Sequence, residues 1–157
     1  PIYESSPPNL TEMPSIAEGP MSRKLNVLLV DDSRTVLAQI ERILNEIDDV
    51  SIVGLARNGA RAIRMATESR PDLVLMGIVM PGLDGLSALR TIKSMYPEME
   101  VAMVSSARGD AQQVEEAFRL GACQVLGKPF DAEIFGALIA NTCVVLDQRA
   151  ADEGGQG

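Results

Sequence analysis

The sequence predicts one α/β domain, a doubly wound parallel sheet of five strands with helices on both faces. Three observations carry this. Short apolar runs such as LNVLLV at 25–30 recur five times, and each is followed by a segment with helical spacing of apolar residues. The 157 residues, 46% apolar and 23% charged, suit a single domain able to bury its own core. Two cysteines, Cys123 and Cys143, and no histidine exclude a zinc-built or disulfide-stapled scaffold.

The elements follow in order. Leu25–Val30 is a continuous apolar run, as in a strand buried on both faces. Ser33 offers an N-cap to a first helix in which Val36, Leu37, Ile40, Ile43, Leu44 and Ile47 recur at helical spacing. Residues 50–55 form strand two, and Asn58 caps a second helix over 60–68 that ends before Pro71. Residues 73–76 form strand three, followed by the turn-rich MPGLDG. Leu86, Leu89, Ile92 and Met95 then mark a third helix stopped at Pro97. Residues 101–104 form strand four, and Val114, Ala117 and Phe118 mark helix four. Val125 and Leu126 sit in a short fifth strand, and Asp131 caps a last helix through Ile134, Leu138, Ile139, Val145 and Leu146.

The charge narrows the function. Fourteen basic residues against 22 acidic ones give a net charge of −8, which argues against a basic stripe for nucleic acid. Five of those negative charges lie in the tails, 1–20 and 147–157. The absence of histidine excludes a Ser-His-Asp or Cys-His centre, a His-ligated metal and a phosphohistidine relay within this chain. No apolar run reaches the 18 residues or so of a membrane span, and no signal-peptide core opens the chain, so a cytoplasmic, reducing compartment is the expectation. Residues 1–22, rich in proline and without apolar periodicity, read as a disordered extension foreign to or upstream of a natural start at Met21. The domain is expected over 23–147, and 148–157 reads as a flexible tail or linker stub.

In a doubly wound sheet the functional crevice lies at the carboxyl ends of the strands. After strand one stand Asp31 and Asp32, where a nucleotide-binding protein would place a glycine-rich loop. Adjacent carboxylates repel phosphate and attract a hard divalent cation such as Mg²⁺, though one of them can equally serve as a helix cap. Ser105 and Ser106 follow strand four, able to donate a hydroxyl or merely to cap a turn. Lys128-Pro129 follows strand five, where a lone lysine is ordinarily solvated surface. The three together are a less accidental set than any one alone.

That set, with LLVDDSRTV, ARNGARAI, PDLVLMGIVMPGLDGLSALR, VAMVSSARGD and GACQVLGKPF, resembles the receiver domain of bacterial response regulators over residues 24–146. The resemblance implies a flavodoxin-like (βα)5 fold with strand order 2-1-3-4-5. It implies that Asp31, Asp32 and the backbone carbonyl of Val79 hold Mg²⁺, Asp32 directly and Asp31 through water. Ser105 matches the family's switch hydroxyl and Lys128 the lysine that pairs with the phosphoryl group, with a cis Lys128–Pro129 peptide. A histidine kinase or phosphotransfer protein is the implied upstream partner, docking near helix one. A downstream protein is implied on helix four, strand five and helix five, a face that also supports homodimers in the family. No nucleic acid or membrane partner is implied.

The sequence departs from that pattern at two places. The phospho-acceptor aspartate of the family ends strand three, and here that position is Gly77. Glycine has no nucleophile, so the self-catalysed phosphorylation and dephosphorylation of the family are lost and no enzyme activity is expected. Neither Met76 nor Ile78 replaces it, and Asp84 reads as the cap of helix three. The lost carboxylate also weakens Mg²⁺ binding. Because Asp31, Asp32, Ser105 and Lys128 are all kept, a substituted active receiver is favoured over a natural pseudo-receiver. Val125 stands where receivers commonly carry an aromatic residue that reports phosphorylation, which leaves the mode of output open.

Other features are less distinctive. The VAMVSS run resembles the receivers of chemotaxis methylesterases, whose catalytic part would lie beyond residue 157. A flavin-binding alternative fits poorly, since the acidic first turn repels phosphate and there is no tryptophan to stack. Among the eight methionines, Met76, Met80 and Met103 are explained by packing, and Arg57, Arg61 and Arg64 read as a solvated face of helix two.

Overall fold

Alternation of apolar side chains along five strands decides how this chain is layered. The computed structural model describes residues 24–105 and 111–156. The expected N-terminal extension lies outside the described residues. The strands are β1 (Leu25–Val30), β2 (Val50–Ala56), β3 (Leu73–Gly77), β4 (Glu100–Ser105) and β5 (Gln124–Gly127). All pairs are parallel, in the order β2-β1-β3-β4-β5, as expected from the sequence.

Leu28, Val30, Val74, Met76, Val101 and Met103 point to one face, and Val27, Leu29, Leu73, Leu75, Ala102 and Val104 to the other. The second face is covered by α1 (Arg34–Asn45) through Val36, Leu37, Ile40 and Leu44, and by α5 (Ala132–Gln156) through Phe135, Leu138 and Ile139. On the first lie α2 (Gly59–Ser69), α3 (Gly85–Met95) and α4 (Ala111–Arg119), with Ala62, Ala66, Ala88, Leu89, Ile92 and Ala117 buried. The alanines of α2 bring its backbone close to the sheet. Each fully buried Leu, Ile or Val side chain contributes about 1.5–3 kcal/mol.

The helix starts are set locally. Ser33 Oγ accepts from Val36 N–H at 3.2 Å, Asn58 Oδ1 from Arg61 N–H at 2.8 Å, and Asp84 Oδ1 from Ser87 N–H at 2.9 Å. Asp31 therefore does not cap α1, and Asp84 does cap α3. Pro71 stops α2 through Arg70, which adopts a left-handed φ of 46°.

Several elements differ from the sequence expectation. Ile47 lies past the end of α1, and Phe118, expected on an inward face, is 48% exposed. Arg57 precedes α2 because Asn58 is the cap, so the three arginines do not share one helix face. The helix α5 continues through Gln156, making 148–156 helical where an irregular tail was expected. A long-range tie holds it: Arg149 Nη1 donates to Glu98 O at 2.6 Å and Nη2 to Glu100 Oε2 at 2.7 Å.

Candidate functional site at the carboxyl ends of the strands

Strand register brings the candidate residues into one row. Val30 pairs with Met76, so the next residues, Asp31 and Gly77, stand side by side at the carboxyl edge. Gly77 pairs with Val104, and Ser105 pairs with Gly127, immediately before Lys128. Ser105 is the last residue of β4 and half-buried, while Ser106 lies outside the described residues. A Cβ on Gly127 would stand 3.9 Å from Ser105 Oγ, an ordinary contact. Lys128 is exposed, its Nζ 5.8 Å from the centre of the Phe130 ring, and its peptide bond to Pro129 is cis.

The two acids have different surroundings. Asp31 is 9% exposed; its N–H donates to Ala56 O at 3.0 Å, and its Oδ1 accepts Ser33 N–H at 2.9 Å. Burial raises the Asp31 carboxyl above its ordinary pKa and the neighbouring Asp32 carboxylate adds to this, against the Ser33 N–H and the more distant charge of Lys128. Asp32 is exposed, and its carbonyl accepts from Arg57 Nη2 at 3.0 Å. Arg57 is the residue that sequence reasoning missed: counting it into α2 hid its position in the β2–α2 turn beside the acid pair. The signal was the Asn58 cap one residue later.

Gly77 itself is buried. A Cβ built there would stand 2.6 Å from Asp31 Oδ2 and 3.8 Å from Met80 Cγ. Past β3, Ile78 N–H donates to Val104 O of β4 at 3.0 Å, and Gly85 N–H closes the turn onto Ile78 O at 2.9 Å. That close return requires glycine, because a Cβ on Gly85 would overlap the carbonyl oxygens of Gly77 and Ile78. Val79 lies just past β3 and is 67% exposed.

The donor set can be tested against the Mg²⁺ that the family implies. Mg²⁺ takes near-octahedral oxygen ligands, commonly one or two carboxylates with waters. Among the described residues no group of three or more acidic, thiol or imidazole side chains is placed to hold a metal ion. Of the two acids present, Asp31 is buried, anchored at one oxygen and turned toward Gly77 at the other. The residues do not fit a Mg²⁺ site of the family's kind.

Comparison with known proteins agrees with this architecture. The chain is 35% identical over 105 residues to a protein-glutamate methylesterase/protein-glutamine glutaminase of Myxococcus xanthus, and 38% identical over 109 residues to one of Caldanaerobacter subterraneus. These matches cover 67% and 69% of this chain and 30% of each relative, so the chain spans under a third of their length. Among solved structures it is similar to the response regulator domain of Thermotoga maritima CheB, with 34% identity and a TM-score of 0.66, covering 76% of this chain and 94% of that one. It is also similar to the signal receiver domain of NarL from Mycobacterium tuberculosis, with 26% identity and a TM-score of 0.72, covering 77% of this chain and 97% of that one. No helix among the described residues is long and apolar enough to cross a membrane. The model of the response regulator receiver domain matches residues 27–140, and with its fold and strand-end residues the chain belongs to that family, a module of two-component signalling.

Proposed function

We propose that this receiver relays signals by protein–protein contact alone and forms no aspartyl phosphate, because Gly77 stands at the family's acceptor position. The observation that carries the reading is the end of β3, where Gly77 sits beside Asp31 with no side chain to attack phosphorus. Ser105 and Lys128 keep the places of the switch hydroxyl and the pairing lysine, which supports a substituted active receiver over a natural pseudo-receiver. No step of this reading passes through Mg²⁺.

An upstream histidine kinase or phosphotransfer protein is expected on α1 and the β5–α5 loop. A groove lined by Gln39, Arg42, Ile43, Lys128, Pro129 and Phe130 supports that placement. The downstream partner, or a second copy of the chain, is expected on α4, β5 and α5, where Phe118 and Ile134 are exposed. Val125, half-buried, supplies no aromatic rotor for a phosphorylation signal. A second reading, the receiver part of a chemotaxis methylesterase, is favoured by the two relatives named above and the small share of them that this chain spans.

The test is titration with beryllofluoride, a phosphoryl mimic that needs the acceptor carboxylate, followed by amide NMR. This chain stays unchanged while Gly77→Asp shifts at Ser105 and along α4–β5–α5. Equal shifts in both proteins would sink the reading.

A further inference from the structure

A side chain on residue 77 and the present position of Asp31 exclude each other. A Cβ at 77 would lie 2.6 Å from Asp31 Oδ2 and 3.3 Å from its Cγ, closer to the oxygen than real Cβ atoms come. The carboxylate is held there: Oδ1 takes Ser33 N–H at 2.9 Å, and Ser33 is itself fixed as the cap of α1 through Val36 N–H. With one oxygen tied to the start of α1, the other is directed into the gap. The opposite wall is apolar, with Met80 Cγ 3.8 Å from the same Cβ point and Met80 5% exposed. Asp32, one residue on, is exposed, and its carboxyl interacts with that of Asp31 from the solvent side.

We propose that Asp31 plugs the site: its carboxylate has taken the space of the side chain that Gly77 lacks, withdrawing one of the two acids from cation binding. This rests on the reading that residue 77 is the acceptor position, and it turns a weakened Mg²⁺ site into a closed one. A hard cation needs several oxygens converging from the open side. Here one Asp31 oxygen is tied to Ser33 N–H and the other faces residue 77 between the ends of β1 and β3, which leaves Asp32 as the exposed acid of the pair.

Two variants and one titration test it. Amide NMR of the intact chain with Mg²⁺, up to roughly ten times a millimolar dissociation constant, shows no saturable shift at Asp31, Asp32 or residues 77–79. The same titration of Gly77→Asp, whose side chain evicts Asp31 and adds a carboxylate, saturates. Gly77→Ala adds a methyl group without chemistry, and its crystal structure shows the Asp31 carboxylate turned out of the gap. Saturable millimolar binding by the unaltered chain at Asp31 and Asp32 overturns the proposal, as does a Gly77→Ala structure with Asp31 in its present place. Neither outcome touches phosphorylation, which mass spectrometry reads separately, so failure of the plug and failure of the functional reading stay distinct.

Discussion

Arg149 and Glu100 are joined by an ion pair of 2.7 Å between residues 49 apart in sequence, fastening the end of α5 to the first residue of β4. Ser105 is the last residue of that same strand, so the site and α5 meet opposite ends of β4.

Arg149→Ala removes this tie and the bond to Glu98 O. The pair is partly exposed, so the expected cost is small, about 0.5–1 kcal/mol. The clearer consequence is local: amide hydrogen exchange speeds up over residues 146–152 and stays unchanged in β1 and β3. Uniform protection along α5 in the variant would show that the tie does not hold the helix.

The acid at the end of β1 gives a pH dependence with a definite sign. The Asp31 pKa is higher in the folded protein than the ordinary 3.8, because burial disfavours the charge. Its contribution to stability is therefore fully present below that ordinary value and lost as pH rises through the raised one. Asp31→Asn keeps an oxygen for Ser33 N–H and removes the buried charge. It should melt about 2–4 °C higher at pH 7, with the advantage shrinking on acidification. A variant that melts lower at pH 7 contradicts the assignment.

Gly85 tests the turn after β3. Gly85→Ala forces a methyl into the Gly77 and Ile78 carbonyls and should cost about 3 kcal/mol or more, read in a denaturant melt. A loss below half that value would mean the turn relaxes freely.

Asp84 tests the capping assignment. Asp84→Ala removes the acceptor of Ser87 N–H and should cost about 1 kcal/mol without altering any partner binding. Asp84→Asn, which keeps the acceptor, should recover most of it.

What was legible in the sequence was whatever local chemistry decides. The three central strands, β1, β3 and β4, announce themselves as apolar runs because both their faces are covered, and Ser33, Asn58 and Asp84 are caps by residue type and spacing. The row of Asp31, Gly77, Ser105 and Lys128 followed from where those strands end. The rest depends on tertiary contacts. The α5 helix outlasts its apolar spacing, and on that extension Arg149 reaches Glu98 O and Glu100, 51 and 49 residues away, which no local pattern reveals. Arg57, Arg61 and Arg64 have helical spacing, yet the Asn58 cap puts Arg57 outside α2 and beside Asp32. The approach of Asp31 Oδ2 to Gly77 is a contact between the ends of two strands, which no local pattern reveals.

The most direct measurement is the intact mass of this chain after exposure to acetyl phosphate with Mg²⁺, beside Gly77→Asp treated identically. The account predicts an unmodified mass for this chain and one added, labile phosphoryl group on the Gly77→Asp protein. A phosphoryl group on the unaltered chain would contradict it outright. Failure of both proteins to react would contradict the claim that Gly77 alone disables an otherwise intact receiver.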